Sequence, residues 1–232
     1  MSMKNKKSYV LKLGGHVLID DQRCIRSDIL SKYIDVITHL WNHGITIHLV
    51  VGGGSLARLY IDTLKALKAP KTYQDVIGIE VSRLNAKILL HALRDKGVNA
   101  IFIDDLQAIK KPKNELYVLG GLSPAQSTTA VAALLAEAIK AEKLIIATDV
   151  DGVYTDDPKK NPNATLLKKV SIREIIDILR QEHEPGSYKL LDAIALQVII
   201  RSQIITHVIN GFDPLNVKRA IEGEEIGTLI TP

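Results

Sequence analysis

Where the apolar run Leu144 to Ala147 ends, the chain turns abruptly acidic: Thr148-Asp149-Val150-Asp151-Gly152-Val153-Tyr154-Thr155-Asp156-Asp157-Pro158. Ligands of open α/β sheets collect at the carboxyl ends of strands, and carboxylates there suit Mg²⁺-phosphate, since they would repel a bare phosphate. Asp149, Asp151, Asp156 and Asp157 can hold Mg²⁺ directly or through water, or orient a catalytic lysine, while Tyr154 can pack against an adenine. Thr148, at the strand tip, offers a hydroxyl ligand. The Asp157-Pro158 pair is equally well read as a simple turn.

Two glycine segments follow apolar strands earlier in the chain. In Lys12-Leu13-Gly14-Gly15-His16 the paired glycines let backbone amides approach an anion, and Lys12 offers a positive charge to the same oxygens. Alone, that segment is also no more than a turn. In Val50-Val51-Gly52-Gly53-Gly54-Ser55-Leu56-Ala57-Arg58 three glycines open a helix, leaving amides and dipole free for a phosphate onto which Arg58 can fork. The spacing is neither Walker A nor the dinucleotide fingerprint. A third segment, Gly120-Gly121-Leu122-Ser123-Pro124-Ala125-Gln126-Ser127-Thr128-Thr129, places neutral donors where a base or sugar can be read, although Ser127 or Thr128 is as readily an N-cap.

Other chemistries find less support. His39 and His43 stand four apart on an expected helix, but no third metal ligand is near in sequence, and His48, His91, His183 and His207 are isolated. There is no Gly-x-Ser-x-Gly elbow. Cys24 is the only cysteine, so the chain forms no internal disulfide and no cysteine-rich zinc site. A formal charge of +4 carries no nucleic-acid signature, because the basic residues are scattered and aromatics are only 4%. No apolar run reaches the roughly 20 residues a bilayer demands, and Lys4-Asn5-Lys6-Lys7 leads into a strand rather than a signal peptide. A cytoplasmic protein with no membrane or nucleic-acid partner is expected.

The elements that must position these segments alternate. Strands are expected at 8–13, 45–51, 99–103, 116–119, 143–147 and 205–209, with helices between most of them, which argues for a mainly parallel α/β sheet. Helical spacing of Leu30, Ile34, Ile37, Leu40 and Trp41 predicts a helix over 27–43, and an alanine-rich helix is expected over 127–140. Residues 110–115 and 158–165 read as loops. At 232 residues and 46% hydrophobic, the chain suits one domain. Within it we expect two lobes, 1–120 and 121–232, sharing one sheet.

Taken together and in this order, the segments resemble the amino acid kinase family from Tyr9 onward, and within it the archaeal-type uridylate kinases. Four stretches carry the resemblance: Gly52-Gly53-Gly54-Ser55-Leu56-Ala57-Arg58-Leu59-Tyr60-Ile61, Asp75-Val76-Ile77-Gly78-Ile79-Glu80-Val81-Ser82-Arg83-Leu84-Asn85-Ala86, Gln126-Ser127-Thr128-Thr129-Ala130-Val131-Ala132-Ala133, and Gly223-Glu224-Glu225-Ile226-Gly227-Thr228-Leu229-Ile230. The resemblance implies a three-layer αβα sandwich with a mainly parallel central sheet. It implies phosphoryl transfer from ATP, with Mg²⁺ held mainly by the ATP phosphates, to UMP, in a homohexamer. By the same resemblance Lys12, Arg58 and Asp149 are catalytic, and Gly14, Gly15, Gly54, Arg58, Thr148, Tyr154 and Asp157 bind ATP. Gly53, Asp75 and the loop Leu122, Ser123, Pro124, Ala125, Gln126, Ser127 and Thr128 hold UMP, with Asp75 on the ribose.

Three residues depart from that pattern. Asp149 stands where uridylate kinases often carry Asn or Lys, Ala125 replaces a frequent glycine, and His16 replaces a small residue or Lys. The departures bear on the acceptor, so isopentenyl phosphate, an amino-acid carboxylate or carbamate stay open as alternatives. Arg58 stands where isopentenyl phosphate kinases place a His. A non-catalytic oxyanion binder, as in molybdenum storage proteins, is a further alternative, against which Lys12 and the 122–128 loop argue for turnover.

Overall fold

A computed structural model describes residues 7–109, 112, 114–156, 158, 161–181 and 191–232. The chain runs β1 (Lys7–Leu13), α1 (Gly15–Leu18), α2 (Ser27–Asn42), β2 (Ile45–Val51), α3 (Gly54–Ala66), α4 (Lys71–Asp95), β3 (Ala100–Phe102) and β4 (Leu116–Leu119). It continues with α5 (Thr128–Ile139), β5 (Leu144–Thr148), β6 (Lys169–Ser171), α6 (Ile172–Gln181), α7 (Ala193–Ser202), β7 (Thr206–Asn210), α8 (Leu215–Glu222) and β8 (Thr228–Thr231). The strands form one sheet in the order β3-β4-β2-β1-β5-β7-β8-β6. Neighbours are parallel except β7 and β8, which pair antiparallel.

Alternation along the buried strands divides the core into two layers. Leu11, Leu13, Leu49 and Val51 meet apolar side chains of α1, α2, α4 and α8, while Val10, Val50, Leu144 and Ile146 meet α5, α6 and α7. The three-layer αβα sandwich expected from sequence is therefore the fold. In α2, Ile29, Tyr33, Ile34, Ile37 and Leu40 are buried at the 3–4 spacing of one helical face. Ala130, Ala132, Ala133 and Ala136 of α5 are fully buried, and such small side chains let this helix lie close under β1 and β2. The same alternation sends Lys12, two residues after Val10, toward the α5 and α7 side.

Each of the six expected strands is found within a residue or two, as are the helices at 27–43 and 127–140. The single turn α1, the short strands β6 and β8 and the helix α8 were not foreseen. Strands β6 and β8 exist because β8 doubles back along β7 and gives β6 a partner, a pairing that no local pattern announces. His48 is fully buried, and its Nδ1 accepts from the Tyr117 amide at 3.0 Å in place of a ladder bond. Burial pulls that imidazole down to about 4, so it is neutral at ordinary pH. His39 and His43 stack on each other at the exposed end of α2, with ring centroids 4.2 Å apart.

Candidate active site

The site is assembled by backbone. Three parallel strand ends meet: the Gly52 amide donates to the Leu13 carbonyl at 2.9 Å, and the Gly14 amide donates to Ala147 at 2.9 Å. The two glycine turns then pack directly against each other. A Cβ on Gly15 would lie 2.0 Å from the Gly54 nitrogen, and one on Gly54, whose φ is +67°, would lie 2.6 Å from the Gly15 carbonyl oxygen. No side chain fits at either position, which explains the glycines better than flexibility does. Asn85 of α4 locks the arrangement, its Nδ2 donating to the Gly52 carbonyl at 2.9 Å and to Gly53 at 3.3 Å.

Helix α3 starts at this junction with Gly53 as N-cap, no side-chain cap and no acid in its first turn. Its leading amides and dipole are open to an anion. Arg58 is exposed one turn along the same helix. Lys12 is half-buried at the end of β1. Burial pulls its ammonium down to about 8, against the opposing pull of the Asp149 and Asp192 carboxylates. His16, half-buried on α1, is held below the ordinary histidine value by burial and then by the Arg58 charge, with Asp149 and Asp21 opposing. Lys12, Asp149, Arg58 and His16 thus share one electrostatic neighbourhood, although they come from four elements.

Beside the junction opens a cleft of about 370 Å³ between α3, α4 and the 121–128 loop. Gly53, Gly54, Asp75, Ser123, Ala125, Gln126, Ser127 and Thr128 all line it; Leu122 and Pro124 do not. Asp75 accepts from the Ala125 amide at 3.0 Å, so it fastens the loop. Ala125 has φ +62°, a left-handed conformation that disfavours any residue with a Cβ by roughly 1–2 kcal/mol, which accounts for the glycine frequent at this place among resembling sequences. Ser82 accepts from the Gly121 amide at 2.7 Å and Arg83 Nε donates to the Gly121 carbonyl at 3.0 Å, so α4 pins the start of the loop as well.

Ser127 is the N-cap of α5, accepting from Thr129 and Ala130 amides at 3.1 and 3.0 Å. Its hydroxyl proton goes to Asp192 Oδ2. Asp192 in turn caps α7, accepting from Ile194 at 2.9 Å and Ala195 at 3.0 Å. One carboxylate therefore ties two helix N-termini together and faces Lys12.

The acidic turn is more internally committed than its sequence suggests. Thr148 is buried, its Oγ1 donating to Asp149 Oδ1 at 3.2 Å. Asp151 accepts from Asn210 at 2.7 Å and from the Tyr154 hydroxyl at 3.2 Å, and Asp156 accepts from Asn161 at 2.8 Å. Tyr154 forms an isolated bridge with Leu166. Among the described residues, no three His, Cys, Asp or Glu side chains converge as a metal site. Asp157 lies outside the described residues, as do Lys110, Lys111, Lys159 and Lys160. Residues not singled out as site candidates from sequence are Asp192, Asn85, Ser82 and Arg83. Asp192 had a signal, an acid just before an apolar helix, but its partners lie far away in the chain.

Comparison with known proteins agrees with this geometry. The sequence profile described as the Amino acid kinase family matches residues 7–210. A uridylate kinase of Hyperthermus butylicus is 41% identical over 227 residues, covering 97% of this chain and 99% of that protein. One of Methanobrevibacter smithii is 39% identical, covering 95% and 97%. The crystal structure of uridylate kinase from Archaeoglobus fulgidus superposes with a TM-score of 0.82 at 36% identity, covering 96% of this chain and 99% of that one. A UMP kinase structure from Ureaplasma parvum, at 22% identity and a TM-score of 0.80 over 99% and 100% of the two chains, shares the fold. The chain belongs to the amino acid kinase family.

Proposed function

We propose that the protein is a UMP kinase, transferring the γ-phosphoryl group of ATP to UMP to give UDP and ADP. The observation that carries this reading is the junction of two glycine turns beside Lys12, opening onto a cleft closed by the Asp75–Ala125 contact. A phosphate oxygen of UMP attacks the γ-phosphorus while the bond to the β,γ-bridging oxygen breaks. That oxygen is already ionised at neutral pH, so alignment and charge neutralisation are required more than a base.

Family resemblance supports the following roles, that of Asp157 from sequence alone. Lys12, with the amides of Gly14, Gly15 and Gly54, neutralises the moving phosphoryl group, and Arg58 reaches the phosphates from α3. Asp149 orients Lys12. Gly53, Asp75 and the 122–128 loop hold UMP, and Thr148, Tyr154 and Asp157 border ATP. Mg²⁺ bound to the ATP phosphates would supply further charge neutralisation. The carboxylate pattern fits an ion carried mainly by ATP, since Asp151 is already bonded to Asn210 and Tyr154, while Asp149 stands beside Lys12. Residues 1–120 supply the acceptor side and 121–232 the ATP side, the 122–128 loop reaching across from the second to the first.

Assembly with further copies of the chain is supported by an uncovered apolar stripe, and the family resemblance implies a hexamer. Tyr60 and Leu67 of the α3 end and Tyr73, Val76, Leu84 and Ile88 of α4 are all exposed. Among the described residues no helix is long and apolar enough to cross a membrane, and an ATP-dependent nucleotide kinase belongs with the cytoplasmic nucleotide pool. The test is a coupled assay with Mg·ATP and UMP, in which turnover on UMP supports the reading and turnover confined to another acceptor removes it.

A further inference from the structure

A second cavity, about 140 Å³, lies away from the cleft on the side of the sheet covered by α8. Lys143, Lys168, Lys169, His207, Glu224 and Glu225 line it. Lys143 immediately precedes β5, whereas the glycine turns gather at that strand's other end, so a five-residue strand of roughly 15 Å separates the two sites.

Three lysines line the cavity against two glutamates. Among the described residues, no carboxylate lies within 4 Å of Lys143, Lys168 or Lys169. Lys143 is partly buried, with Nζ donating to the Ala220 carbonyl. Glu224 leans toward Arg219 at 3.9 Å, leaving Glu225 at the rim. His207 is buried beneath, its Nε2 meeting the Ile226 carbonyl at 2.6 Å and its ring also close to the Ala220 carbonyl. The site thus offers cations for an anionic head and the Glu225 carboxylate as an acceptor for a donor beside it.

We propose that this cavity binds a small phosphate ester bearing a hydroxyl or amine, independently of the kinase site. At about 30 Å³ per water, the volume is that of four or five waters, enough for a phosphate and a short polyol. The binding adds to the phosphoryl-transfer activity and does not depend on its acceptor.

The test titrates ribose 5-phosphate into the full-length protein by calorimetry at constant ionic strength, with UMP saturating. The exposed pair is removed in Lys168→Gln/Lys169→Gln, with Lys65→Gln/Lys68→Gln as a control of equal charge loss at the end of α3. We expect wild type and control to bind alike, and the pocket variant to bind at least tenfold more weakly with unchanged kcat/KM. Equal weakening in the control would reduce the effect to general charge, and full affinity in the pocket variant would place the ligand elsewhere; either overturns the proposal. So does binding lost in Arg58→Ala, which would belong to the glycine turns. Lys143→Gln is a second probe of the pocket, and the exposed pair decides if that variant does not fold.

Discussion

Lys12 is a cation set at the edge of its titration. With burial holding it to about 8, the free enzyme loses this charge as pH rises past that value, whereas bound phosphates would favour the charged form. We predict that kcat/KM for ATP falls about tenfold per pH unit above roughly pH 8. Asp192 raises the lysine, so Asp192→Asn moves this alkaline limb to lower pH; a carboxylate that only capped α7 would lower stability and leave the limb in place. Asp75→Asn weakens the hold on Ala125, and the expected result is a KM for UMP raised roughly tenfold, about 1.4 kcal/mol, with the KM for ATP little changed. An unchanged KM for UMP would remove Asp75 from the acceptor site. Lys12 and Arg58 were legible in sequence because each sits within a few residues of its glycines. Asp192 and Asn85 were not, because their partners are brought to them by packing of α7 and α4.

At the scale of elements, the two glycine turns behave as one interlocked piece. Gly15→Ala would put a methyl 2.0 Å from the Gly54 nitrogen, against backbone that cannot step aside cheaply. The expected cost is at least about 2–3 kcal/mol of stability, together with loss of phosphoryl transfer, and thermal unfolding with steady-state kinetics would measure both. A variant of wild-type stability and activity would show that the turns are not in contact. The sequence shows consecutive glycines but not which surface needs them, and that surface is another glycine turn. Long β-branched runs such as Ile45–Val51 were readable because both faces are buried. The sheet edge, where β8 runs antiparallel to β7 and parallel to β6, was not, since its pairing depends on where α8 returns the chain.

For the whole molecule, the stripe from Tyr60 to Ile88 predicts that the protein does not remain a monomer. Tyr73→Glu with Leu84→Glu places two charges on it, and sedimentation should show smaller species than wild type, while a monomeric wild type would contradict the assembly. The central claim concerns chemistry, and it is tested most directly by steady-state turnover with Mg·ATP against UMP, CMP, dTMP, isopentenyl phosphate, aspartate and carbamate. The account predicts UDP formation, with UMP preferred over every other acceptor. Phosphorylation of another acceptor with none on UMP would contradict it, as would silence on all six.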